Sequence, residues 1–110
     1  MDHATPDNFD WPYPWAPLPF PQGWLGKVES VEAELQSEVC PDHPLYREKC
    51  KVVARNAEDP NEFLFVTSNP EMPLAFVHLT WKAERDPTWP YTVGYSGWDT
   101  FRQAWLTEDA

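Results

Sequence analysis

Residues 50–81 read CKVVARNAEDPNEFLFVTSNPEMPLAFVHLTW, and this stretch decides the fold. From Cys50 to Arg55 the side chains alternate, with Cys50, Val52 and Ala54 on one face and Lys51, Val53 and Arg55 on the other. That is the pattern of a half-buried strand. Glu58-Asp59-Pro60-Asn61 is turn chemistry, and Phe63 to Thr67 follows as a strand apolar on both faces. Ser68-Asn69-Pro70 turns the chain again. Leu74 to Trp81 then sets Leu74, Phe76, His78 and Thr80 against Ala75, Val77, Leu79 and Trp81, which predicts a central strand covered on both sides. Turns this short predict an antiparallel meander.

Downstream, Lys82 to Pro90 is polar and carries Pro87 and Pro90, so a loop is expected, and Tyr91 to Tyr95 is a candidate fourth strand. Ser96-Gly97-Trp98-Asp99 comes close to a capping box with Asp in place of Glu. Trp98, Phe101, Trp105 and Leu106 put an aromatic stripe on the helix that follows. Upstream, Gly23 and Gly26 mark a turn around Trp24. Val28, Val31, Leu35 and Val39 then recur at helical spacing, which predicts an amphipathic helix over 26–39 with glutamates on its other faces and Pro41 as its stop. Asp42-His43-Pro44-Leu45-Tyr46 reads as a loop. The fold class is therefore α+β: a three- or four-stranded antiparallel sheet packed with two helices.

Residues 1–25 form an extended arm rich in proline and aromatics, ahead of a single domain over 26–110. Pro6, Pro12, Pro14, Pro17, Pro19 and Pro21 forbid helix and central strand. Pro14 to Pro17 has PxxP spacing but no neighbouring Arg or Lys. Phe9, Trp11, Trp15, Leu18 and Phe20 would be hazardous if exposed. Either they complete the core of their own domain or they form an interface, so a monomer and an arm-mediated homodimer are both open.

At 110 residues one domain is expected, and seven tryptophans place the chain among folding sequences. No apolar run approaches the ~20 residues of a membrane span. Met-Asp-His-Ala-Thr-Pro-Asp lacks a basic and an apolar region of signal-peptide type, so the expected location is cytoplasmic. A net charge of −10 argues against nucleic acid and anionic membrane as partners. Glu29, Glu32, Glu34, Glu38 and Asp42 precede a cluster of Arg47, Lys49, Lys51 and Arg55. The plain account is a solvated acidic helix face beside a basic strand face. The sharper one makes Glu29 and Glu32 part of a surface that docks a basic protein partner. Cys40 and Cys50 are expected as free thiols, with a disulfide or redox pair as the alternative. His43 lies between them, but neither the spacing nor the ligand count suits zinc, and no metal site is expected.

The chain carries no phosphate loop, nucleophile elbow or dinucleotide fingerprint, and no cofactor is expected. The remaining candidates cluster around the third strand: His78, Trp81, Glu84, Asp86, Trp89 and Tyr91. His78 sits among apolar neighbours, where a buried, neutral imidazole is the first reading and a catalytic one the second. Glu84 and Asp86 suit acid–base work, yet their loop also holds Lys82 and Arg85, which favours solvated surface. Trp81 and Trp89 read first as core and second as a platform for a ligand. His78-Leu79-Thr80-Trp81, Trp89-Pro90-Tyr91-Thr92 and Asp42-His43-Pro44-Leu45-Tyr46 together resemble a family of small uncharacterised bacterial proteins, over about residues 26–106. That resemblance implies a bacterial source and brings no activity, cofactor or catalytic residue. The expected function is non-catalytic protein binding of immunity or accessory type. The alternative is a small-molecule site or minor enzyme activity around His78, Trp81 and Trp89.

Overall fold

The alternating segments of residues 50–81 pair as a meander, and the meander gains a neighbour on each side. The computed structural model describes residues 5–18 and 28–107. Their elements run β1 (Trp15–Pro17), α1 (Val28–Glu38), β2 (Cys50–Asn56), β3 (Asp59–Thr67), β4 (Leu74–His78), β5 (Tyr91–Tyr95) and α2 (Trp98–Thr107). Among the described residues the five strands make one antiparallel sheet in chain order. The turn at Gly23 and Gly26, Phe20, Trp24 and the expected first two residues of the helix lie outside the described residues.

The expected three or four strands become five because the arm supplies β1. Proline removes a ladder donor, but an edge strand loses nothing on its open side. The arm's prolines also serve as acceptors. The Ala57 N–H donates to the Pro14 carbonyl at 2.9 Å, and Leu18 closes the pairing onto the Val53 carbonyl at 3.4 Å. Tyr13 donates its hydroxyl proton to Glu58, beside the β2–β3 turn.

Alternation in β3 and β4 divides the core in two. Phe63, Phe65, Ala75 and Val77 face one side, where Val31 and Leu35 of α1, with Val39 just past its end, close over them. Leu64, Leu74 and Phe76 face the other, beneath Trp15 of the arm and Phe101 of α2. The Trp15 ring meets Phe76, Phe101 and Trp105 edge-on, with centroids 5.9, 5.6 and 5.2 Å away. Edge-to-face contacts of this kind contribute about 0.5–1.5 kcal/mol each beyond area burial. Arg102 of α2 secures the arm by an ion pair of 2.8 Å with Asp10. Helix α1, sheet, and α2 with the arm thus form three layers around two apolar clusters.

Candidate functional site

Strand β4 stops at His78, three residues short of the expected Trp81, and a carboxylate explains why. Glu38, at the last position of α1, is fully buried, which corrects the reading of the helix glutamates as a solvated face. Its Oε1 accepts the Thr80 N–H at 2.9 Å and the Thr80 hydroxyl at 3.2 Å, and its Oε2 accepts the Trp81 N–H at 2.7 Å. Donors that would have continued the ladder are committed to the helix instead. Trp81 is left with φ of 63°, a left-handed conformation uncommon for a bulky aromatic. Burial, reinforced by a hydrogen bond with Glu34, pushes the Glu38 carboxyl up to about 7, against the pull of the Thr80 and Trp81 N–H groups. The helix glutamates are functionally mixed: Glu29 is exposed, while Glu32 accepts the Val52 N–H at 2.9 Å, where β2 shifts register.

His78 is not the buried imidazole that alternation suggested. The apolar cluster on its face ends at Phe76, and the His78 side chain keeps 37% of its accessible surface. Its Nδ1 lies 3.0 Å from Glu62 Oε2 and 3.9 Å from Asp59 Oδ2. Both acids come from β3, and Glu62 is the cross-strand partner of His78, with Tyr91 its partner on the other side. Glu84 and Asp86, the acids singled out in the sequence, form no ion pair with it within 4.0 Å. Asp86 caps its own turn by accepting the Thr88 N–H at 2.9 Å, and that bond holds its carboxyl below the usual carboxylate range.

The loop after β4 leans on α1 through the Glu84 N–H, which donates to the Glu38 carbonyl at 3.3 Å. Between this loop and the strand ends lies an open cleft of about 460 Å³, lined by Asn61, His78, Thr80, Trp81, Glu84 and Trp89 among others. Trp81 and Trp89, read first as core, are instead 49% and 44% exposed, and Tyr91 is 50% exposed. The backbone twist at Trp81 carries its indole out of the sheet, where its N–H donates to Asn61 Oδ1 at 2.7 Å. The cleft therefore offers the rings of Trp81 and Trp89 beside the side chains of Glu84 and Lys82.

The buried, neutral histidine of this fold is His43. Its Nδ1 accepts the Leu45 N–H at 3.0 Å, so the ring proton sits on Nε2, 3.0 Å from the Pro90 carbonyl and 3.2 Å from the Thr92 hydroxyl. Burial lowers its pKa, an effect partly offset by the bond to Pro90. The Asp42–Tyr46 loop and the Trp89–Thr92 segment thereby touch, and the polar loop is held at both ends. Cys40 and Cys50 are free and buried, and burial pushes the Cys50 thiol up to about 12, which keeps it protonated.

Sequence reasoning missed Glu38, Asp59 and Glu62. The signal for Glu62 lay in the sheet register: a hairpin centred on Pro70, which pairs Val66 with Leu74, sets it opposite His78. Glu38 falls on the apolar stripe of the helix, seven residues after Val31 and three after Leu35, but its residue type grouped it with the solvated acids. No family model, curated protein or solved structure matches the chain.

Proposed function

We propose that the protein is a non-catalytic binding protein that takes a basic segment of a partner protein across the cleft beneath the 81–90 loop. One observation carries this reading: Trp81 and Trp89, which both line that cleft, stand about half exposed, whereas most other large apolar side chains among the described residues are buried or half-buried. Clustered exposed aromatics mark interaction surfaces. Glu84 lines the cleft beside these rings, as does Lys82, and the whole chain carries −10, so the overall field favours a cationic partner. An Arg or Lys side chain stacked on an indole gains about 0.5–2 kcal/mol, more as the contact loses water. Glu29 on α1 adds to the same acidic field without lining the cleft.

Titration of the intact protein with a short arginine-rich peptide, a matched acidic peptide and free arginine amide tests the proposal. The basic peptide should bind, weaken as salt rises, and lose at least about tenfold in affinity with Trp81→Ala or Trp89→Ala. Equal responses to the two peptides, or affinities unmoved by either substitution in folded protein, would refute it. Tighter binding of free arginine amide than of the peptide would favour the small-molecule site around His78, Trp81 and Trp89.

A further inference from the structure

We propose that Asp59, Glu62 and His78 form a binding site for a divalent first-row transition ion of the zinc type. The three donor atoms, one from each side chain, lie within 4.8 Å of one another. Ligands about 2.0–2.2 Å from a tetrahedral ion stand about 3.4 Å apart, and the separations of 3.0 and 3.9 Å from His78 Nδ1 bracket that edge. One imidazole with two carboxylates matches the borderline character of zinc and its neighbours better than that of magnesium or calcium, which take oxygen alone.

The supporting contacts point the same way. Glu62 uses Oε1 to accept the side-chain amide of Asn56 at 2.8 Å, and Asn56 is buried. Asp59 uses Oδ1 to accept the Asn61 N–H at 2.9 Å. Each carboxylate thus has one oxygen fixed by a neutral donor and presents the other, Oε2 or Oδ2, to the His78 ring. That division of labour is how outer hydrogen bonds orient metal-binding carboxylates. Among the described residues, neither acid has a Lys or Arg within 4.0 Å, so two negative charges face a single imidazole. All three side chains retain exposure, between 19% and 37%, which leaves coordination positions for water or a ligand from the adjoining cleft. The site adjoins the one proposed for a basic segment through His78, which lines the same cleft: Trp81 and Trp89 serve that binding, and the strand carboxylates with His78 hold the ion.

Calorimetric titration of the full chain with zinc chloride should give one ion per chain. His78→Gln or Asp59→Asn should weaken that binding at least about tenfold, which is the lower end of what loss of even an orienting contact costs. Replacing both Cys40 and Cys50 with Ser should leave it unchanged, as should Trp89→Ala, which breaks peptide binding. Should either ligand variant fail to fold, the unmodified protein still decides: Mn²⁺ should broaden the NMR signals of His78, Glu62 and Tyr91 before those of Cys40 and Cys50. Absence of zinc binding, binding that survives His78→Gln in folded protein, loss with the cysteines, or broadening that begins elsewhere would each overturn the site.

Discussion

Replacing Glu38 with Gln keeps the shape of the side chain and removes its titration, and the consequence is a change in how stability depends on pH. In the folded protein the carboxyl titrates at about 7 against 4.5 for an ordinary glutamate. The native state therefore holds this proton more tightly than the unfolded chain does. Its contribution is fully present below pH 4.5, fades as pH rises through about 7, and is constant above that. At about 1.4 kcal/mol per unit, the wild type gives up about 3 kcal/mol over the whole window, and about 2–3 of these between pH 5 and pH 8. Gln makes no such concession. It instead turns an amide N–H₂ toward either the Thr80 or the Trp81 N–H, a stranded-donor cost of about 1–3 kcal/mol at every pH. Urea denaturation followed by tryptophan fluorescence at several pH values should show the wild type ahead at pH 5 and level with, or behind, Glu38→Gln at pH 8. His43 imposes the opposite slope, since its lowered pKa removes stability as pH falls below about 6.5, but it cancels in the difference between the two proteins. Two stability curves running parallel from pH 5 to pH 8 would refute the assignment of a buried, proton-sharing Glu38.

Trp15→Ala should cost about 3–5 kcal/mol in the same assay, because it empties the centre of the aromatic cluster under the arm. A loss below about 1 kcal/mol would remove the arm from the core. Gly94→Ala places a Cβ 2.5 Å from the Met72 Cβ, a contact only a backbone shift relieves, and should destabilise by about 1–3 kcal/mol. An unchanged melting temperature would show that Gly94 of β5 does not lie against Met72.

Period-two alternation made the central strands legible, because each face of β3 and β4 meets a separate apolar layer. The helices were legible for the same reason at the other period: Val31 and Leu35 in α1, and Phe101 in α2, lie fully buried where spacing put them. Strand β1 was not, since proline content argues about interior ladders and says little of an edge. The candidate site was legible in its aromatics and in His78 and illegible in its acids. Glu84 and Asp86, near His78 in sequence, were the acids considered beside it, though read first as solvated surface, whereas Asp59 and Glu62 reach His78 through β3. His43 and His78 exchanged roles: the histidine in a loop is sealed by backbone partners, and the one in a strand looks out from the rim. Local pattern specifies which face a residue takes, not how far the covering layer extends over that face.

The order of strands in the sheet has a kinetic consequence. From β2 to β5 each strand pairs with the next in the chain, across connections of two, six and twelve residues. Pairing Trp15 with Asn56 closes about 40 residues, and α1 lies inside that loop. Loop-closure entropy grows with length and must be met before distant contacts repay it. The meander should therefore assemble first, with α1 sheltering one side, while Leu64, Leu74 and Phe76 stay open to water until α2 and the arm arrive. Under strain the arm would be the first layer to leave, and its departure would bare the apolar face on which slow refolding and self-association begin.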